Sequence, residues 1–171
     1  WSAQKSNRML NSSGLKEAYF LPDEISFSPT QFFSYCTRFN PSIVGSCPVQ
    51  EIIDDGNLVI RTPNGDVRCE FLLITTNMNS GAIDPFFRDK ITPVRLQSIA
   101  VPHQGTTTLP ATCQFGYIRW RDTEKYRLIS GCRWGTPHLE IGEKDDSVVS
   151  EPIGKQLRKV AQEHFGLAPK E

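Results

Sequence analysis

The stretch Pro48–Asn77, PVQEIIDDGNLVIRTPNGDVRCEFLLITTN, decides how this chain folds. Val49, Ile52 and Ile53 mark a first strand, and Asp54–Asn57 (DDGN) is a cluster of turn-forming residue types. Leu58–Thr62 is a second strand. Asn64-Gly65 then signals a hairpin, because both residues tolerate positive φ. A third strand is expected from Val67 to Thr75. Its end, Phe71–Ile74 (FLLI), lacks polar alternation, which predicts a strand buried on both faces inside a layered α/β sheet.

Upstream, residues 1–27 read as polar and irregular, with Leu15, Tyr19, Phe20 and Leu21 as a short apolar patch. Ser28-Pro29 opens a helix, since Ser can cap and Pro fits the first turn. Phe32, Phe33, Cys36 and Phe39 recur at helical spacing, and Asn40-Pro41 ends the run. Downstream, Gly81–Phe87 predicts a short helical turn. Three alternating strands are then expected: Ile91–Pro102 (ITPVRLQSIAVP), Thr112–Trp120 (TCQFGYIRW) and Tyr126–Arg133 (YRLISGCR), with Asp122–Lys125 as the tip between the last two. Glu151–Phe165 carries Ile153, Leu157, Val160, Ala161 and His164-Phe165 on or near one face, a clear amphipathic helix that Gly166 is placed to end. The expected fold is α+β (mixed α/β). An irregular segment (1–27) precedes a small α/β lobe (28–80) and a mainly antiparallel sheet packed with a C-terminal helix (81–171).

Composition narrows the function classes. Apolar and charged fractions of 38% and 22% suit a globular chain rather than a disordered one. Nineteen basic residues balance nineteen acidic ones, so no long-range field draws the chain to nucleic acid or to an anionic membrane. The apolar runs are too short for a transmembrane helix. The start, WSAQKSNRML, has neither an initiator Met nor the apolar core of a signal peptide, as in a chain that begins mid-protein or has lost a leading segment. Cys36, Cys47, Cys69, Cys113 and Cys132 are scattered, with no C-x-x-C and no grouping with His103, His138 or His164. That pattern predicts no metal site and free thiols in a reducing, cytoplasmic compartment.

Polar residues at strand spacing are the candidates for chemistry. Arg95 and Gln97 lie two apart and share a face, which suits either a pocket that orients a carboxylate or an exposed edge strand. Tyr117 and Arg119 share a face in the same way, and Arg can grip a carboxylate through two parallel hydrogen bonds. Arg121 lies nearer the hairpin tip and reads as solvated. His103 and His138 fall in loops, and Lys155, Arg158 and Lys159 form a solvated helix face.

Taken in order, SPTQFFSYCTRF, PVQEI, LVIRTPNGDVRC, LLITTN, ITPVRLQSIAVP, YRLISGCRW and SEPIGKQLRKVAQEHFG resemble the middle of the FAD-dependent oxidoreductases of the D-amino-acid oxidase, glycine oxidase and sarcosine oxidase family. The likeness covers nearly all of residues 14–166. It implies FAD as cofactor and oxidation of a C–N bond in an amine or amino acid by hydride transfer to the flavin. It further implies that Val49 meets the adenine with its backbone, and that Thr75, Thr76 and Asn77 end a strand beside the cofactor. A plain core strand residue and a polar turn are the structural alternatives for these four positions. Arg133, after the Gly131 that approaches the flavin in relatives, is implied near the substrate. Two departures stand out: no G-x-G-x-x-G occurs, and Cys132 replaces the second glycine of the family's G-G-R. The fragment alone is therefore not expected to retain FAD.

The leading expectation is the substrate-domain portion of such a flavoprotein, with Arg95, Gln97, Tyr117, Arg119 and Arg133 orienting the substrate and no residue acting as general acid or base. Its partners would be a small amine or amino acid and the missing flavin-binding segments of the same protein. Open sheet edges would favour a homodimer. The competing expectation is a non-catalytic small-molecule-binding or protein-interaction module without flavin. A cysteine hydrolase is a weaker third, since no Cys sits in a His and Asx context.

Overall fold

The computed structural model describes residues 2–10, 12–13, 15–23, 27–39, 42–104 and 109–168. It combines helices with two antiparallel sheets in an α+β fold, and divides into two compact units: residues 27–93, and residues 1–26 together with 94–171. The division therefore falls at 93/94 rather than at 80/81, and residues 1–26 group with the C-terminal unit.

In the unit 27–93, helix α2 (Pro29–Phe39) forms where Ser28-Pro29 predicted it, and the Ser28 hydroxyl accepts from Gln31 N at 3.4 Å. Its aromatic face is not buried: Phe32, Phe33, Tyr35 and Phe39 are all exposed. Strands β1 (Glu51–Asp54), β2 (Leu58–Thr62) and β3 (Gly65–Cys69) make a three-stranded meander in that order. The second turn lies one residue earlier than the Asn-Gly reading. Thr62 pairs with Gly65, leaving Pro63 and Asn64 as the turn residues. Pro63 supplies the fixed negative φ suited to the first turn position, while Gly65 takes the positive angle, at 120°. The Thr62 hydroxyl stitches the turn, donating to Gly65 O (2.7 Å) and accepting from Asn64 N (3.2 Å).

The inner strand expected over Val67–Thr75 is corrected. Pairing stops at Cys69, and Phe71 and Leu73 are 88% and 84% exposed. An apolar run is buried on both faces only where strands flank it. Here β3 is an edge strand and the chain leaves the ladder before FLLI begins. Short helical turns follow at Asn77–Asn79, at α3 (Ser80–Ile83) and at Pro85–Phe87.

The other unit is built on a four-stranded antiparallel sheet, β4 (Ser98–Pro102), β5 (Ala111–Cys113), β6 (Ile118–Asp122) and β7 (Tyr126–Gly131), in the order β4-β7-β6-β5. Helix α4 (Glu151–Phe165) ends at left-handed Gly166 and packs on β4 and β7. Ile153, Leu157, Val160 and Ala161 from the helix meet Val101, Ile118, Trp120, Ile129 and Cys132 from the sheet side. The amino-terminal segment is less irregular than its composition implied. Ala3–Met9 is a helix (α1), Leu10 joins this core, and the Asn7 amide brackets Leu15 with two 2.9 Å bonds.

Two expected strands are shorter than their alternation. Burial alternates from Ile91 to Pro102, yet ladder pairing covers only Ser98–Pro102, because the neighbouring β7 ends at Gly131. Thr112–Trp120 breaks into a hairpin. Gln114, Phe115 and Gly116 have φ of 51°, 56° and 84°, and fold β5 back onto β6 so that Cys113 faces Ile118. Period-two patterning survives a tight turn, so the sequence alone concealed it.

At the far end of the sheet, Arg127 and Asp122 are cross-strand partners whose side chains have no exposed area. The guanidinium donates twice, Nε to Oδ1 at 2.7 Å and Nη2 to Oδ2 at 2.8 Å. It also lies 4.4 Å from the ring centre of Phe165, which packs edge-on against Trp120. Such a pair costs desolvation to form but far more to break. Asp122→Asn is expected to destabilise the chain by about 3–5 kcal/mol in denaturant unfolding, since it strands a buried cation. Arg158→Ala, which removes the exposed pair with Glu151 (2.5 Å), should cost less than about 1 kcal/mol in the same measurement.

Candidate functional site

The sheet has two faces. One packs on α4; the other, carrying Ser98, Arg119 and Ser130 at register positions, turns away from it. On this outer face lies a cavity of about 320 Å³, lined by Val94, Leu96, Phe115, Gly116, Tyr117, Arg119, Ser130, Gly131 and Arg133. That volume is at the lower end of the range for small-molecule sites.

The cavity depends on a kink at the end of β7. Gly131 has φ 114° and Cys132 has φ 63°, so the strand cannot continue straight. A Cβ on Gly131 would sit 1.9 Å from the Tyr117 carbonyl oxygen, so only glycine fits. That oxygen accepts from Cys132 N at 2.8 Å. The kink turns Cys132 into the core and delivers Arg133, at the head of a short helical turn (Arg133–Gly135), to the cavity.

Three of the five expected substrate residues meet here: Tyr117, Arg119 and Arg133. Arg119 Nε donates to Gly116 O at 3.3 Å, and Arg133 Nη2 donates to Pro137 O at 3.1 Å. Among the described residues, neither guanidinium is within ion-pair distance of a carboxylate, and Arg133 Nε is buried without a hydrogen-bond partner. Two cations without counter-ions beside an apolar wall form a site ready for an anion.

Arg95 and Gln97 do share a face, but it is the wrong one for the cavity. Their neighbours Val94 and Leu96 line it instead. Arg95 grips the buried Glu140, with Nε to Oε2 at 2.6 Å and Nη2 to Oε1 at 3.2 Å, and this bonding raises its pKa above the ordinary value. Its Nη1 donates to the carbonyls of Asp145 and Val148, so one side chain ties down the loop that precedes α4. Gln97 Oε1 accepts from Ser150 N at 2.8 Å, at the entry to α4. Its amide nitrogen lies 3.2 Å from where a Cβ on Gly154 would be, tighter than an ordinary contact. Both residues are structural. The parity of the extended segment, which sequence could not fix, placed them so. Val94, Leu96, Phe115, Gly116 and Ser130 were missed; only the tight turn, which brings Phe115 round, would have revealed the site.

The four positions implied for FAD lie in the unit 27–93. Val49 is an exposed residue ahead of β1. Thr75 and Thr76 follow the unpaired FLLI segment, and Asn77 starts a helical turn at φ 50°. The Thr76 hydroxyl is engaged with Ser80 Oγ at 3.0 Å. Gly81 is bare for a local reason: Arg88 Cα would stand 2.9 Å from its Cβ. No glycine-rich turn joins a strand to a helix among these residues, and α3 is a single turn. They do not fit a grip on a dinucleotide. Gly131, likewise, has its lack of a side chain explained by Tyr117 O.

Among the described residues no cluster of His, Cys, Asp and Glu could hold a metal ion, and no helix is long and apolar enough to cross a membrane. No family model matches the chain, and no curated protein or solved structure matches it.

The five cysteines are free. Burial, with Cys113 close by, pushes the Cys132 thiol from 9.0 up to about 12. It is therefore expected to resist iodoacetamide in the folded protein and to react once denaturant is added, as read by mass spectrometry of the labelled peptides. The folded thiol keeps its proton while the unfolded one releases it, so this group's contribution to stability is lost as pH climbs from 9.0 toward about 12. Cys132→Ala should flatten that part of the stability profile.

Proposed function

We propose that this chain supplies the substrate-binding sheet of a flavin-dependent oxidoreductase that oxidises a C–N bond of an amine or amino acid. One observation carries the reading. Tyr117, Arg119 and Arg133, picked out from strand spacing and from the family resemblance, converge on a single cavity with an apolar wall. Among the described residues no His or carboxylate lines it to activate the Tyr117 or Ser130 hydroxyl, which suits chemistry performed by a cofactor while the protein binds and orients. The flavin would be held by parts of a longer polypeptide or by a partner chain. Here Arg119 and Arg133 bind, Tyr117 closes one side, and Val94 and Leu96 keep water from the apolar part of the substrate. Five free thiols favour a reducing compartment such as the cytoplasm.

A second reading, a small-molecule-binding module without flavin, is favoured by one feature: the described residues of 27–93 show no grip for a dinucleotide. Purifying the product of the uninterrupted reading frame separates the two. A flavin absorption spectrum, with a rise in KM of about tenfold or more in Arg119→Ala (about 1.4 kcal/mol), is the expected result. A colourless product that still binds a carboxylate would replace the oxidoreductase with the binding module.

A further inference from the structure

The β2–β3 turn carries a reactive pair, Asn64-Gly65, that the cavity does not use. Pro63 and Asn64 form the turn, and Thr62–Gly65 is the terminal pair of the ladder that it closes. Asn64 is exposed. The Thr62 hydroxyl holds Asn64 N and Gly65 O. Among the described residues the Asn64 carboxamide itself has no hydrogen-bond partner. Across the peptide bond, a Cβ on Gly65 would meet no atom within 4 Å. The Gly65 nitrogen thus has no side chain beside it, and open space where one would stand.

A main-chain nitrogen that follows asparagine can attack the carboxamide carbon, and a side chain on that next residue obstructs the approach. The other described asparagines lack the arrangement. Asn7 spends its carboxamide on the backbone of Leu15. Asn57 and Asn77 precede the bulky Leu58 and Met78. Asn79 precedes Ser80, which is buried at the start of α3. At Asn64 the pair that must open is also the weakest of its sheet. Thr62–Gly65 ends the ladder on the edge strand β3, so it opens without the strands behind it.

We propose that Asn64-Gly65 is a self-modification site, at which the asparagine converts to isoaspartate and lengthens the turn. The Gly65 nitrogen bonds to Asn64 Cγ, and the side-chain amide leaves as ammonia with the proton that the nitrogen gave up. Water then opens the cyclic imide. Cleavage of the new Cγ–N bond gives aspartate in an unchanged backbone. Cleavage at the Asn64 main-chain carbonyl gives isoaspartate, with the chain running through Cβ and Cγ. The net change is water consumed and ammonia released, with no oxidation or reduction. Isoaspartate adds a methylene to a turn whose length sets the pairing of β2 with β3. A carboxylate also arrives next to Asp66, which shares Arg61 with Glu51. Both changes loosen the start of β3.

The test is to incubate the folded full chain at mildly alkaline and mildly acidic pH and follow the tryptic peptide 62–68 by mass spectrometry. Conversion of amide to acid there should be at least about tenfold faster than at Asn57 or Asn79. It should be faster at alkaline pH, where the attacking nitrogen loses its proton more readily. Most of the product should accept a methyl group from an isoaspartyl methyltransferase, and amide exchange at Val67 and Cys69 should quicken with it. Asn64→Gln, whose longer side chain needs a larger ring, should abolish the conversion. Asn64→Asp keeps the backbone length and should leave the exchange slow. If 62–68 converts no faster than the peptides carrying Asn57 and Asn79, the pair is not a reactive site. Conversion that begins only after denaturant is added would mean that the closed turn shields Asn64, and would overturn the proposal for the folded protein. A product that takes no methyl group would be aspartate alone, and the lengthened turn would be wrong.

Discussion

The contact between Gly131 and the Tyr117 carbonyl is the constraint on which the C-terminal unit depends. With 1.9 Å between that oxygen and the place a Cβ would occupy, β6 and β7 approach more closely here than any other residue would permit. The approach ends the ladder and turns the next two residues to opposite tasks. Cys132 goes into the core among Ile118, Trp120 and Ile129, and Arg133 goes to the cavity. Core and site are therefore not independent. The same two left-handed residues that complete the packing against α4 also shape the floor and one wall of the opening on the other face.

The arginines of this unit divide by partner rather than by position in the sequence. Arg127 and Arg95 are committed to carboxylates, Asp122 and Glu140, that are themselves almost wholly buried. Their work is to fix the hairpin tip and the loop before α4. Buried cations without such acceptors would be costly, so these pairs are specified together or not at all. Arg119 and Arg133 instead bond to backbone carbonyls of their own turns, which orients the guanidinium without neutralising it. A carbonyl spends one or two donors and leaves the charge to act. That difference, not the mere presence of arginine in a strand, sets Arg119 and Arg133 apart.

Strand and helix identities were legible where patterning and punctuation agreed. Ser28-Pro29, Gly166 and the amphipathic run Glu151–Phe165 gave helices α2 and α4 at their observed limits. What the residues could not show was pairing. Phe71–Ile74 reads as a core strand by composition, but burial depends on neighbours, and among the described residues β3 has none on that side. Ile91–Pro102 alternates throughout, but alternation gives parity without saying which parity faces the helix, and so Arg95 and Gln97 were assigned to a cavity that Val94 and Leu96 line. TCQFGYIRW alternates across a turn made by three left-handed residues, of which only Gly116 announces itself. Tyr117 and Arg119 reach the cavity because their face was right whichever strand they belonged to.

The cavity also shows how a chain without net charge can present a charged site. Its cations are not in excess overall; they are separated from the acids, which pair elsewhere or lie outside the lining. The resulting field is local. At physiological ionic strength, screening sets in beyond about 8 Å, so Arg119 and Arg133 steer little at a distance and act on contact. A site of this kind draws its selectivity from geometry and desolvation rather than from attraction in bulk solution. A hydrogen bond to an anion is stronger where apolar surface keeps water from the pair. Val94, Leu96 and Phe115 supply such apolar surface beside the two guanidinia.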